Sequence, residues 1–461
     1  MRRLVSLPAW ERQALEPVPE HLRRGRPQDG GWLWFAANLG LPPWSLGVLA
    51  LALGLTGPQA ALAIVVGNLI GAALVAATAS LGPESGVPAI VLGRALFGGV
   101  ANRLPSLFNA LSCLGWYAVN AVLGGEALAR LLGLPLVWGL VLITAALAVA
   151  AAVGHDLVHR LERVSAYALA VLFLFTAVRL IAVHGGLGAR LLGQGAAAAS
   201  LGTFLLATAI IASYLFSWAP YATDYARYLP TGTPRPPVFG AAFWGSLVST
   251  TGIELLGLLT ALAVGTAGSP VAVLGRAMGS WAAPALAAAV LGTLTANALN
   301  VYTGGLSTLS AGIRLGRPAV TALFALAGGI VAYVGARGFY LGYENFLLLI
   351  SYWVAAWVGV ILARAIGRPR GAAWTPVAGV LRLRLFGAFL AGLVATVPFM
   401  DQTLYEGPVA KLLGGGDLGY WAGLIVAFVL ARLALARAGE RSDEDALAEA
   451  PGRARTAPDA S

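Results

Sequence analysis

A few side chains in otherwise apolar stretches have the types and spacing to hold a flat, polar ligand. Trp116 and Asn120 stand four apart in Gly115-Trp116-Tyr117-Ala118-Val119-Asn120, so on a helix they share a face. Trp218 sits at an interruption, Ser217-Trp218-Ala219-Pro220-Tyr221, and a later stretch supplies Thr293, Thr295, Asn297, Asn300 and Tyr302. Indole faces stack on a heterocycle, while carboxamides read donors and acceptors along its edge without the desolvation cost of an ion. Two carboxyls also fall inside apolar runs: Glu126, beyond Asn120, and Glu254. An ionisable group in a membrane span is a functional hypothesis by default, and either is a candidate proton carrier. The structural alternatives are that Glu126 meets water at an extracellular mouth and that Glu254 bonds a neighbouring helix.

The elements that must position these groups are membrane helices. Of 461 residues, 58% are hydrophobic and 11% charged, with a mean hydropathy of +0.79. That is more apolar surface than a soluble domain can hide. The chain reads as an all-α polytopic membrane protein of about twelve spans, near 31–55, 58–81, 103–132, 136–154, 161–184, 201–229, 237–266, 283–311, 318–336, 342–366, 379–400 and 417–437. Two of them are interrupted: the first at Asn38-Leu39-Gly40-Leu41-Pro42-Pro43, the sixth at Trp218-Ala219-Pro220. Proline removes a donor and crowds the preceding turn, which frees backbone polar groups at mid-depth. Lipid tolerates these only where they face protein or a water-filled cavity. Broken helices at matching places in two repeats mark the substrate site of secondary transporters.

That match divides the membrane domain, 31–437, into repeats at 31–184 and 201–366, with two extra helices over 379–437. An odd number of spans per repeat makes the two inverted. Residues 1–30 read as a polar cytoplasmic tail and 438–461 as a disordered one. The first 30 residues show no signal-peptide pattern. Around Ser269-Pro270 to Trp281 there is room for a short extracellular helix or lid. The net charge of +10 is topological rather than a nucleic-acid patch. With a cytoplasmic N-terminus, Arg2, Arg3, Arg12, Arg23, Arg24 and Arg26 lie inside, as do Arg94, Arg103, Arg160, Arg163, Arg227, Arg235, Arg314 and Arg317. So do the loop carrying Arg364, Arg368, Arg370, Arg382 and Arg384 and the Arg432–Arg455 tail. Only Arg130, Arg179, Arg190, Arg276, Arg337 and Lys411 lie outside. This fits the positive-inside rule for a multi-pass protein of the plasma (bacterial inner) membrane with both termini cytoplasmic.

Several stretches, taken in order, resemble the nucleobase–cation symporter family 1, in particular its purine–cytosine permease branch. They are Glu16-Pro17-Val18-Pro19, Trp34-Phe35-Ala36-Ala37-Asn38-Leu39, Gly67-Asn68-Leu69-Ile70-Gly71, Leu81-Gly82-Pro83-Glu84-Ser85-Gly86-Val87-Pro88 and Arg94-Ala95-Leu96-Phe97-Gly98. Further on come Gly115 to Asn120, Asp224-Tyr225-Ala226-Arg227-Tyr228-Leu229-Pro230 and Asn297-Ala298-Leu299-Asn300-Val301-Tyr302. The resemblance implies the inverted five-helix-repeat fold of LeuT-like symporters and cation-driven uptake of a nucleobase or similar heterocycle by alternating access. It implies a base held between Trp116 and Trp218, with Asn120, Asn297 or Asn300 on its edge and Asn38 beside it at the first break. A sodium site would use backbone carbonyls near Ala37, Asn38 and Gly40 with hydroxyls before Asn297. Here Thr295-Ala296 offers one hydroxyl where the family pattern has two, with Thr293 as a substitute, so the coupling ion is sodium or a proton.

Other readings stay open on the residues alone: an amino-acid or amine permease of the same fold, a channel, or a non-transporting receptor. The first lacks a glycine-rich carboxylate cradle between Asn38 and Pro43. Trp32, Trp34, Trp138, Trp281 and Trp421 read as an interfacial belt, and Gly67-xxx-Gly71 as a helix-packing seam. His155 and His159 read as a metal pair or as solvated loop residues. Asp224 and Arg227 read as a gate ion pair or a snorkelling anchor, and Cys113 as a packing residue. No nucleotide, dinucleotide, zinc-protease or nucleophile-elbow motif occurs in a fitting context, so an enzyme is not expected. Neither a cofactor nor a nucleic-acid or obligate protein partner is expected; the partners are a nucleobase-like substrate and the lipid bilayer.

Overall fold

The computed structural model describes residues 15–153, 155–193, 197–366, 374, 376–377 and 379–448, and their side chains except those of 148–166, 317–318 and 439–448. The His155 and His159 pair and the arginines at 2, 3, 12, 160, 163, 317, 368, 370 and 455 therefore lie outside the described side chains. All twelve expected stretches fall on helices. Among the described residues, eight helices are long and apolar enough to cross a membrane, or nine with one bent pair counted as a span. The stretch Ala319–Ile366 counts there as one although the turn Ala336–Gly338 divides it.

The bent pair is the first span. Its halves, α1 (Pro27–Ala37) and α2 (Leu41–Ala52), meet at 56°. The cause is local. Pro42 and Pro43 have no N–H, so the carbonyls of Asn38 and Leu39 have no donor four residues on. Asn38 leaves the helix at φ −95°, ψ 1°, and Gly40 is extended at φ −165°, ψ 171°. In the first turn of α2 the missing donors cost nothing.

The sixth span differs from expectation. After α3 (Gly57–Ala79), α4 (Ala89–Ala101), α5 (Arg103–Leu132), α6 (Leu136–Val153) and α7 (His155–Val183), it begins as α8 (Leu201–Phe216). It then tightens into a 3-10 turn, Ala219–Tyr221, and resumes as α9 (Ala222–Ala226). Trp218 (φ −80°, ψ −11°) and Tyr221 (φ −107°, ψ −12°) keep right-handed angles. The ladder is interrupted there without the sharp bend of the first span, because Pro220 falls in the first turn of the 3-10 segment, where no donor is needed.

The remaining longer helices are α10 (Arg235–Val264), α11 (Pro270–Met278), α12 (Ala282–Ser310), α13 (Arg317–Gly335), α14 (Phe339–Ile366), α15 (Gly379–Thr396) and α16 (Gly419–Ala448). A two-residue hairpin, β1 (Asp401–Gln402) with β2 (Tyr405–Glu406), links the last two. The helix α11 fills the segment expected to hold a short extracellular one. The helix α16 runs past the expected end at 437 because no proline follows until Pro451 and its residues are mostly good helix formers.

Glycines bring the helices around the first break into backbone contact. A Cβ on Gly47 would sit 1.8 Å from the Glu254 carbonyl oxygen, and one on Gly257 would sit 1.9 Å from that of Trp44. Helix α10 is thereby pressed against α2, while Gly245 gives it the same approach to Gly31 of α1, at 2.3 Å. Gly67 and Gly71 seat α3 on α8, against Ile211 and Leu215. At the centre, Gly124 of α5 admits Thr293 of α12, whose Cγ2 a Cβ would meet at 2.5 Å.

The N-terminal segment is also more structured than its polarity suggests. The backbone N–H of Val18 donates to Gly86 O at 2.9 Å and that of Gly25 to Tyr228 O at 3.2 Å. Arg23 donates to Val18 O, Pro83 O and Thr231 Oγ1. Helix α1 starts at Pro27, inside the expected tail, because the Asp29 carboxylate accepts from Arg26 N–H at 2.8 Å. These bonds reach loops far away in sequence, which local composition does not reveal.

Gly47→Ala is expected to lower stability by about 2–3 kcal/mol through overpacking against α10. Gly252→Ala, with nothing within 4 Å of its Cβ in the interior of α10, is expected to raise it by about 0.5–1 kcal/mol through helix propensity. Thermal unfolding of the two purified variants against the parent checks both.

Candidate functional site

A cavity of about 810 Å³ opens along the first break. It is walled by α1 and the break from Trp32 to Pro43, by Trp116 and Asn120 of α5, and by the Tyr214–Tyr225 end of the sixth span. Helix α7 contributes Tyr167, Leu169 and Ala170, and α12 the face from Ala289 to Asn300. The structure thus brings Trp116, Asn120, Trp218, Asn300, Ala37, Gly40, Thr293 and Thr295 to one space, from four segments distant in sequence.

The indoles are braced by edge-on aromatic neighbours, an arrangement favoured by ring quadrupoles. Trp116 meets Tyr214 at 5.6 Å, Tyr343 at 6.0 Å and Phe346 at 5.4 Å between centroids. Gly115 makes room for the last: a Cβ there would lie 2.0 Å from the Phe346 ring. Trp218 meets Trp34 at 5.9 Å and Tyr221 at 5.3 Å. Tyr221 is held in turn by Cys113, with Oη and Sγ 2.9 Å apart.

Two carboxamides face the cavity, each with one commitment behind it. Asn120 Nδ2 donates to Trp116 O one turn back at 2.9 Å, and Asn300 Nδ2 donates to Asn297 Oδ1 at 3.1 Å. Each retains an acceptor oxygen and a second amide hydrogen for a ligand. Asn297 and Asn38 are placed elsewhere than expected. Asn297 is fully buried and donates to Tyr117 O at 3.0 Å, so it ties α12 to α5 and holds Asn300. Asn38 is fully buried and donates to Trp34 O at 2.7 Å, closing the last turn of α1. Inside a membrane protein a carboxamide turns to the nearest unpaired carbonyl, and spacing alone does not say which carboxamides find one.

At the first break, Ala37 and Gly40 and the hydroxyl residues Thr293 and Thr295 share the cavity wall. Thr295 Oγ1 gives its hydrogen to Gly292 O at 2.9 Å, which leaves oxygen lone pairs for a cation. Ala296 adds none. The donor set is carbonyls and hydroxyls without a carboxylate, which suits a monovalent hard ion and is one hydroxyl short of the pattern described above.

The two carboxyls lie outside the cavity. Glu126 pairs with Arg130 at 2.9 Å and accepts from Ser269 Oγ at the start of α11, tying α5 to that short helix. Glu254 is fully buried on α10, with Asn68 Nδ2 of α3 donating to its Oε2 at 2.7 Å. Asp224 also plays a structural part, since its Oδ1 accepts from Ala89 N–H at 2.9 Å, at the N-terminus of α4. Anions are stabilised at that end of a helix.

Sequence reasoning did not single out several aromatic wall residues, among them Trp34, Tyr214, Tyr221 and Tyr225. Trp34 is 2% exposed and packs on Trp218, whereas Trp32, Trp138 and Trp281 are more than half exposed, as belt residues are. Tyr214 stands four before Trp218, the same spacing as Trp116 and Asn120, which is the signal that could have found it.

Residues 17–423 match the family described as permease for cytosine/purines, uracil, thiamine, allantoin. The candidate purine-cytosine permease YxlA of Bacillus subtilis (strain 168) is 28% identical over 437 residues, 91% of this chain and 94% of that protein. The purine-cytosine permease fcyB of Emericella nidulans is 25% identical over 425 residues, covering 86% of this chain and 82% of its own. Among solved structures, the inward-facing conformation of Mhp1 superposes with a TM-score of 0.75 at 16% identity, over 93% of this chain and 94% of that one. Mhp1 in a closed conformation with bromovinylhydantoin bound, described as a nucleobase-cation-symport-1 family transporter, superposes with a TM-score of 0.72 over 93% and 96%. At that identity the likeness speaks for the fold alone, a LeuT-like helical fold.

Cys113 is the sole cysteine and is fully buried against Tyr221. N-ethylmaleimide is expected to label it at least tenfold more slowly in the folded protein than after SDS denaturation, read by mass spectrometry. Equal rates would contradict the packing of the sixth-span turn.

Proposed function

The chain belongs to the permease family for cytosine and purines, uracil, thiamine and allantoin, and from that premise we propose that it imports a planar nucleobase-type heterocycle by cation symport. Its family is one of membrane permeases rather than enzymes. The observation that carries the substrate reading is the joint presence of two braced indoles and two half-committed carboxamides in one cavity. The heterocycle stacks against Trp116 and Trp218, with Asn120 and Asn300 on its edge. Tyr214 and Trp34 hold the indole planes, so little side-chain entropy remains to be lost on binding.

The cavity follows the first span from its N-terminal half, Trp32 to Ala37, and reaches Tyr225 at the far end of the sixth. With the N-terminus cytoplasmic, that is the inner side, and the state is inward-open. Rocking of one helix bundle against the other would then close this side and open the opposite one. Sodium, if it is the coupling ion, sits between the carbonyls near Ala37, Asn38 and Gly40 and the hydroxyls of Thr293 and Thr295.

The test is a thermal-shift panel on detergent-purified protein: cytosine, uracil, adenine, hypoxanthine, guanine, allantoin, a hydantoin and hydroxymethylpyrimidine, each in sodium and in choline. At least one base is expected to stabilise the fold. Trp116→Ala and Trp218→Ala are each expected to weaken its binding by about 5- to 150-fold, the equivalent of losing one stacking face. Wild-type affinity in both variants would refute the assignment of the site, and no response to any base would refute the substrate class.

A further inference from the structure

Glu254 is a fully buried carboxyl that the substrate cavity does not use. It sits on α10, in the turn that Gly47 and Gly257 press against α2. Its Oε2 accepts from Asn68 Nδ2 at 2.7 Å. Its Oε1 and the Oδ1 of the same asparagine are buried without a hydrogen-bond partner. Among the described residues, no Arg, Lys or His pairs with it. The titratable groups that face it are Tyr214 of α8 and Tyr343 of α14, while α2 and α3 present none. Both tyrosines pack edge-on against Trp116, and Tyr214 also lines the cavity. Tyr214 therefore stands both within electrostatic reach of this carboxyl and at the cavity wall.

The two orphaned atoms are both acceptors on one hydrogen-bonded pair. A proton on Oε1 turns that oxygen into a donor, and Asn68 Oδ1 is the acceptor the pair already holds. The neutral acid and the amide then satisfy each other twice. The ionised form leaves a charge in the protein interior with one hydrogen bond and no counter-ion.

We propose that Glu254 and Asn68 form the proton-binding site that couples substrate import to a proton gradient, apart from the oxygens at the first break. The proposal rests on the reading of the chain as a cation-coupled heterocycle permease. In the outward-facing state a proton from external water forms an O–H bond at Oε1. Glu254 is fully buried here, so on the inward side that bond breaks, and the proton passes to cavity water, when Tyr214 at the cavity wall moves aside; no electrons are exchanged. Helix α10 packs on both halves of the broken span, so the charge on Glu254 weights the packing that opens or closes the cavity.

The test compares the parent with Glu254→Gln, in detergent and in proteoliposomes, using the base that stabilises the parent. Glutamine reproduces the protonated acid, since its amide can donate to Asn68 Oδ1 while its oxygen accepts from Nδ2. Parent affinity is expected to rise as pH falls. The variant is expected to bind within about threefold of the parent's low-pH affinity at every pH, and to exchange substrate. Its accumulation under an inside-alkaline gradient should fall below a tenth of the parent's. Accumulation with the parent's pH dependence would overturn the proposal, as would a parent driven by sodium and indifferent to the pH gradient; the second result leaves the substrate reading standing. No base binding to the parent would remove both. Should the variant fail to fold, proton uptake by the parent on adding the base in weakly buffered solution decides: about one proton per substrate supports the site, and none overturns it.

Discussion

Two adjacent prolines, Pro42 and Pro43, withdraw donors from two backbone carbonyls at a depth where lipid offers no replacement. The surrounding architecture answers that deficit. The first span bends by 56°, its freed backbone faces a cavity instead of hydrocarbon, and α10 covers the outer side of both halves through glycine contacts too close for any Cβ. The break survives because it is enclosed.

The binding chemistry hangs on the neighbours of that break. Helices α5 and α12 cross at Gly124 and Thr293, and Asn297 ties the crossing to Tyr117 O. Asn300 is thereby fixed opposite Trp116 and Asn120. The sixth span brings Trp218 from the other side on a 3-10 turn, held by Tyr221 and Cys113. Trp116, Trp218, Asn120 and Asn300 each have a contact behind them that rotation would break, which is the preorganisation that tight binding of a small rigid ligand needs.

Much of this was legible in the sequence. The twelve apolar stretches, the two interruptions and the pair Trp116/Asn120 follow from hydropathy, proline chemistry and helical spacing, while Thr293 and Thr295 rest on the family resemblance. What was not legible has one physical origin: which partner a side chain finds across the bundle. Asn297 and Asn300 look alike in sequence, yet one meets a carbonyl of α5 and the other the cavity. Trp34 reads as belt material until Trp218 is seen beside it. The sharpness of the second break depends on where Pro220 falls within a turn. The strap formed by Val18, Arg23 and Gly25 depends on loops some 60 to 200 residues away.

The position of the ligand decides the matter, and a structure of the protein with its stabilising heterocycle bound measures it. Flat density is expected in the cavity at the first break, in van der Waals contact with the rings of Trp116 and Trp218 at about 3.5–4 Å, with its polar edge toward Asn120 and Asn300. Density outside that cavity, or inside it but touching neither indole, would contradict this placement.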